Sequence, residues 1–459
     1  MRLAATPRPP SWMEPSAGLS ALYGALLAGG MLAVALAWSR AVPHLPVPGW
    51  LVIVALVGLA VISWLAIVRF ELAVLLGLVI LGVVKVEPSP PDAVFAVLLA
   101  IVVITGREEL ARLPRMLAAI LGILVLANLL SMTQATDPAA AVRFFAITLY
   151  LAVFCVWFAA YVDRKRRARA VVVGYGIAAA TSAMIGAAAL LLPLPNREFF
   201  LLEGCCRAEA LFQDANVFGP FLVPPLLILL HEALVPRLLD RRWRPVLVLT
   251  VVLLELGVVL SFSRAAWLNL AVGLTVMLVV LALRPGGFGK ALKVTLGIIA
   301  ASAIVLGAMS TLGETDFLHE RASLQTYDAE RFASRDEGIV IAERTPLGIG
   351  PGQFDLLLPF APHNVYVLVA AEQGFLGIVA WVAFWFGTLF IAARNALAGR
   401  STHGIASGAL LGAWCGLMVN SFVVDSLHWR HVWLLAALIW AADISRRGRS
   451  VAGGQPVPA

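Results

Sequence analysis

The chain has 459 residues, 61% of them hydrophobic and only 13% charged, with a mean hydropathy of +0.91. A soluble domain carries about 25% charged residues, so this composition excludes a water-soluble globule and leaves most of the chain facing lipid. The net charge of +7 comes mainly from loop arginines, whose placement is a matter of membrane orientation and does not point to nucleic acid.

Backbone groups in hydrocarbon must bond to one another, which restricts spanning elements to helices or a closed barrel. The apolar runs are continuous, not alternating, and about 18–24 residues long, which selects helices. The first run, 17–38, is too long for a signal-peptide core and no small-residue cleavage site follows it, so it reads as a retained span. Further runs follow at 49–68, 70–86, 91–105, 114–132, 143–162, 170–193, 216–235, 245–262, 265–283, 291–312, 365–393, 405–424 and 431–443. The expectation is an all-α polytopic transmembrane bundle of about 12–14 spans. The short runs 70–86, 91–105 and 431–443 account for that range.

Orientation follows from Lys and Arg. With the amino terminus in the cytoplasm, alternation sends Arg164, Lys165, Arg166, Arg167 and Arg169 to the cytoplasmic side, with Arg237, Arg241, Arg242, Arg244, Arg284, Lys290 and Lys293. Arg394, Arg400, Arg446, Arg447 and Arg449 join them, as the positive-inside rule requires. The organisation expected is helices over 1–193, a second block over 194–312 with a short outer loop, a long and partly helical outer loop over 313–364, helices over 365–445, and a cytoplasmic tail over 446–459. The long loop is acidic, with Glu314, Asp316, Glu320, Asp328, Glu330, Asp336, Glu337, Glu343 and Asp355 against four arginines. Cys155 and Cys415 lie inside apolar runs and read as inert; Cys205 and Cys206 are adjacent in a loop, with no C-x-x-C spacing.

Candidate chemistry gathers on the outer side. Arg264 lies in Ser261-Phe-Ser-Arg-Ala-Ala-Trp267, at the junction of two apolar runs. There it either snorkels to the interface or uses its planar fork to grip an anion such as phosphate. Arg207 precedes Asp214 and Asn216, which stand where they would cap the helix starting near Val217. Arg331 lies in the long loop, ahead of Thr345-Pro-Leu-Gly-Ile-Gly-Pro-Gly-Gln-Phe354. No Gly-Lys-Ser/Thr follows Gly348, Gly350 and Gly352, so they read as a tight turn letting backbone approach a ligand or a helix end. His363 stands in Pro362-His-Asn364-Val-Tyr366, where the loop re-enters the membrane, either as a proton acceptor or as an interfacial hydrogen-bonding residue. His428 and His431 have no metal-ligand spacing, and no metal site or cofactor is expected.

Taken together over 200–430, these motifs resemble the O-antigen ligase and O-antigen polymerase superfamily, integral-membrane glycosyltransferases that use undecaprenyl-diphosphate-linked glycans. The resemblance rests on Ser-Phe-Ser-Arg264-Ala-Ala-Trp, on Arg331 with the glycine turn, on Pro-His363-Asn-Val-Tyr before Glu372-Gln-Gly-Phe-Leu-Gly377, and on Arg207 through Asn216-Val-Phe-Gly. It departs from the family at Ala210 and Ala215, where glycine and proline are expected, and at Arg335, where tryptophan is common. The resemblance implies a multi-pass protein of the bacterial inner membrane with a periplasmic active site. The implied donor is a glycan on undecaprenyl diphosphate and the implied acceptor a lipid A-core. It implies His363, Arg264 and Arg331 as catalytic residues, with Arg207, Asn216, Asn364 and Tyr366 joining Arg264 and Arg331 in binding diphosphate or glycan. A polymerase or a protein glycan ligase of the same superfamily remains open. A lipid-linked glycan transporter is the alternative from another class, disfavoured because the polar residues gather at one outer face and not at the bilayer midplane.

Overall fold

Prolines and capping side chains set several of the helix starts. Asp137 accepts from the N–H groups of Ala139 (2.9 Å) and Ala140 (3.1 Å) ahead of Pro138, while Asp214 and Asn364 cap two helices described below. The computed structural model describes residues 49–86, 89–204, 206–311, 326–358 and 360–452; the run expected at 17–38, the loop stretch 312–325 and the tail end 453–459 lie outside them. The helices are α1 (Gly49–Val68), α2 (Phe70–Val79), α3 (Pro90–Ile104), α4 (Arg115–Ser131), α5 (Pro138–Tyr161), α6 (Lys165–Leu191), α7 (Ala215–Leu234) and α8 (Arg244–Leu260). They continue as α9 (Arg264–Ala282), α10 (Phe288–Thr311), α11 (Thr326–Arg344), α12 (Phe354–Leu357), α13 (Val365–Leu397), α14 (Ser407–Asn420) and α15 (Arg430–Ala452). Among the described residues the one sheet is a hairpin pairing Ser401–Thr402 with Ile405–Ala406. Among the described residues seven helices are long and apolar enough to cross a membrane, so the chain is a polytopic helical membrane protein, as its composition required. The long loop is partly helical, since α11 lies within it.

The helix ends segregate to two faces. On one, Arg430 at the start of α15 pairs with Asp92 at the start of α3 through Nε, at 2.7 Å, and Gln353 meets the start of α5. On the other, Arg167 is buried among Glu71 (3.2 Å), Glu109 (3.1 Å) and Asp163 (3.3 Å), and Arg394 pairs with Asp443. An arginine so buried is tolerated because each carboxylate offsets the cost of removing the guanidinium from water.

Close packing aligns the helices that carry the site. Gly408, Gly412 and Gly416 form a small-residue stripe on α14 that faces α9. A Cβ on Gly412 would lie 2.3 Å from Gly273 O, and one on Gly416 2.3 Å from Asn269 Oδ1. Such stripes let two backbones touch where lipid supplies no hydrophobic drive. Helix α7 is buried along nearly its whole length and holds Pro220, Pro224 and Pro225. Proline lacks an N–H, so Pro225 leaves the carbonyl of Phe221 unbonded within the helix. The hydroxyl of Tyr175 on α6 donates to that carbonyl at 2.8 Å, as hydrocarbon surroundings demand.

Candidate active site

The turn between α8 and α9 is built by its serines. Ser261 Oγ donates back to Val258 O at 2.6 Å, Phe262 takes a left-handed φ of 47°, and Ser263 Oγ caps α9 by accepting from Ala266 N at 3.4 Å. Arg264 is thereby the first residue of α9, half-buried at the membrane end of the bundle.

Arg207 fastens that turn to α7. Its Nε donates to Ser261 O and its Nη2 to Asn216 Oδ1, each at 3.0 Å, while Ser263 Oγ donates to the same Asn216 oxygen at 2.9 Å. Asp214 caps α7 by accepting from Asn216 N at 2.8 Å and takes a second bond from Asn216 Nδ2 at 3.3 Å. Gly219 completes the junction: a Cβ there would sit 2.6 Å from both Ala266 Cβ and Ser261 Oγ. Ahead of this, Ala210 adopts φ 52°. An L-residue is strained in that region and glycine is not, which accounts for the family's glycine at a position where this chain carries alanine.

The long loop delivers Arg331 and His363. Helix α11 lies against α13, where a Cβ on Gly338 would stand 2.7 Å from Val367 Cγ1. Ser334, one turn after Arg331, donates to Phe360 O at 2.5 Å and ties the stretch leading to His363. His363 has φ 45°, a conformation the surroundings must hold in place. Burial pushes its pKa down to about 4, and the positive charge of Arg331 pushes the same way, while Asp214 opposes. Those influences bring three elements into one neighbourhood: the entrance of α13, the arginine of α11 and the cap of α7.

The glycine turn repairs a broken helix. At Gly374 (φ 66°, ψ −165°) α13 leaves helical geometry, so the carbonyls of Ala371 and Glu372 lose their usual partners. Ile349 N donates to Ala371 O at 2.9 Å and Gly350 N to Glu372 O at 3.0 Å, while Phe375 N donates to Pro346 O at 2.9 Å. Side chains would be excluded here, since a Cβ on Gly348 would lie 2.3 Å from Glu372 O and one on Gly374 2.2 Å from Pro346 O. Gln353 then fastens the turn to α5: its Oε1 accepts from Asp137 N (2.8 Å) and Thr136 Oγ1 (2.9 Å), and its Nε2 donates to Asp137 O (3.1 Å). Glu372 Oε1 accepts from Phe354 N at 3.0 Å.

Of the residues expected from sequence, Arg264, Arg331 and His363 stand half-buried at this end of the bundle. Arg207 and Asn216 are committed to the α7–α9 junction. Asn364 caps α13, its Oδ1 accepting from Tyr366 N (3.0 Å) and Val367 N (3.2 Å). Tyr366 packs against Phe422, with ring centroids 4.5 Å apart and the planes tilted by 34°. Sequence reasoning passed over Ser263, Gln353 and Glu372 as positioning residues; the Glu372-Gln-Gly374 segment was visible, but its use as a helix break was not. Burial also lifts Asp425 on this face to about 6, with Asp355 adding to the shift. Among the described residues no three His, Cys, Asp or Glu side chains gather as a metal site would require.

Comparison with known proteins adds one match. Residues 249–382 fit the family model described as O-Antigen ligase, a stretch from α8 into α13 that holds the serine turn, Arg331, the glycine turn and His363. A search of curated proteins found no match to the chain.

Proposed function

We infer, from the premise that this chain belongs through residues 249–382 to the O-antigen ligase superfamily, that it is an O-antigen ligase of the inner membrane. It takes a glycan from undecaprenyl diphosphate and joins it to a sugar hydroxyl of the lipid A-core at the periplasmic face. The family alone supports the coarser statement, an enzyme of the ligase and polymerase class with lipid-linked glycan substrates.

The choice of ligase rests on the description of the matched family, and the observation that supports the proposed chemistry is that Arg331 and Asp214 lie close enough to His363 to act on its charge. The acceptor oxygen attacks the anomeric carbon, the bond to the diphosphate oxygen breaks, and the acceptor's proton passes to His363. Arg264 and Arg331 hold the departing diphosphate, stabilising its developing charge without a metal ion. Direct displacement of this kind inverts the anomeric centre. His363 is neutral at periplasmic pH and so able to accept a proton, but burial, with the charge of Arg331 adding to it, makes it a weak base when the site is empty. A bound diphosphate offsets the charge of Arg331 and so raises the basicity of His363. Donor binding thus switches on the base, and Asp214 stabilises the imidazolium that forms. Arg207 and Asn216 keep Arg264 in register beneath the donor.

The deciding experiment is the lipopolysaccharide pattern of a strain lacking the protein. Long-chain lipid-linked glycan accumulating beside bare core supports ligation to lipid A-core. Core capped with a single repeat would instead assign polymerisation, and an unchanged pattern with loss of a glycoprotein would assign transfer to protein.

A further inference from the structure

The ends of α7, α9 and α13 and the start of α14 enclose a second cavity, of about 230 Å³, at the face opposite the candidate active site. Arg237, Arg284, Lys290, Arg400 and His231 line it, and among the described residues no carboxylate does. The carboxylate nearest in sequence, Glu232, turns its Oε1 to the backbone N–H groups of Arg237 (2.8 Å), Leu238 (2.6 Å) and Leu239 (2.7 Å). Arg284 donates to the carbonyls of Ala396 and Leu397, and Arg400 to Asn395 Oδ1 at 3.2 Å. Those partners are neutral, so they orient the guanidinium groups without cancelling their charge.

Two further features point inward. Helix α14, 14 residues long, opens into the cavity with Ala406, Ser407 and Gly408, and Ala406 at its N-cap offers no side chain to the first amides. Ser407 N donates to Arg400 O at 3.4 Å, which leaves the following amide, Gly408 N, as the helix-start donor in the cavity that favours an anion. Ser407 is only 3% exposed, and its hydroxyl has no hydrogen-bond partner, an arrangement that is costly unless a ligand or water completes it.

We propose that this cavity is a phosphate-binding site. The Ser407 hydroxyl and the Gly408 amide hold the phosphate oxygens, and the arginines and Lys290 supply the charge. The space equals roughly eight water volumes, enough for a phosphate. The site is separate from the diphosphate site proposed above, because α9, with 19 residues, sets the two about 28 Å apart. On the topology proposed above it faces the cytoplasm, although the phosphate chemistry does not depend on that assignment. Its level, at the helix ends, admits two sources: the phosphodiester of an anionic phospholipid from the leaflet, or free phosphate from solution.

Two measurements on the full-length protein separate these. Native mass spectrometry after exposure to equal phosphatidylglycerol and phosphatidylcholine reads lipid retention, and thermal unfolding in lipid-free detergent reads the response to inorganic phosphate. The variants are Arg237→Gln with Lys290→Gln, both at exposed positions, and Ser407→Ala, which removes one oxygen. Preferential retention of phosphatidylglycerol, falling about fivefold for each cation removed and reduced by Ser407→Ala, supports the site with a lipid source. A phosphate-dependent rise in Tm that is lost in Ser407→Ala, without lipid preference, supports it with a soluble source. Equal behaviour of wild type and both variants, or no response to either probe, overturns the proposal.

Discussion

His363 and Arg264 divide the labour of the proposed reaction, and their variants should fail differently. His363→Ala should lower kcat by about 10²–10⁴-fold with donor KM nearly unchanged, because proton acceptance matters mainly in the transition state. Arg264→Lys keeps a charge but loses the fork, so it should weaken donor binding as well as turnover. Near-wild-type glycan attachment by His363→Gln in a complementation assay would remove the base assignment. The pH profile tests the coupling between them. Because burial and Arg331 lower the pKa of the empty site to about 4, the acid limb of kcat/KM should fall near pH 4. The acid limb of kcat should lie higher, since the diphosphate offsets Arg331; coincident limbs would contradict donor activation. Ala210 offers a separate test: Ala210→Gly should relieve the left-handed strain and stabilise the protein by about 1 kcal/mol in thermal unfolding. These residue types and their spacing were readable in the chain. Their partners were not: Arg207 meets Ser261 and Ser263 meets Asn216 across dozens of intervening residues, and only packing of α7 on α9 joins them. The cap that Asn364 makes on α13 and the contact of Tyr366 with Phe422 likewise depend on how the chain folds back at this end of the bundle.

Among the elements, α13 depends on the turn that precedes it. Gly374→Ala places a Cβ against Pro346 O in a backbone region open to glycine alone. The expected result is separation of turn from helix, with a Tm several degrees lower and activity lost together. A variant with wild-type Tm and activity would show the junction to be dispensable. Gln353→Ala should do less to Tm, because it removes the tie to α5 while leaving the backbone bonds between turn and α13 intact. Apolar runs located the helices well, as the run 245–262 against α8 at Arg244–Leu260 illustrates. At α5 they erred and a cap explains it: the helix starts at Pro138, earlier than the run at 143, because Asp137 caps it. The glycine turn was legible as one that brings backbone close to a helix end. That the end is internal to α13 was not, because apolar runs lie on either side of Glu372-Gln-Gly374 and a hydropathy average passes straight through the break.

Across the whole molecule, the two-faced arrangement of helix ends agrees with the alternation drawn from Lys and Arg. The long loop shares a face with the starts of α5, α7, α9 and α13, and the dense basic clusters lie on the other. Cysteine scanning assigns the compartments: Asp336→Cys should react with a membrane-impermeant reagent from the periplasm, and Arg242→Cys only after the cytoplasm is opened. The reverse pattern would dismantle the proposed reaction, since no lipid-linked glycan would then meet His363. The break in α13 also carries a consequence for how the protein is made. The turn leaves the ribosome before the helix does, so the donors for Ala371 O and Glu372 O are made before those carbonyls are. A chain that lost the turn would have to bring two bare carbonyls into hydrocarbon, so turn and half-helix should enter and leave the native state as one cooperative unit. Hydrogen exchange can observe this directly. The amides of Ile349, Gly350 and Phe375, which bridge the two segments, should be protected alike and exchange in a single opening event.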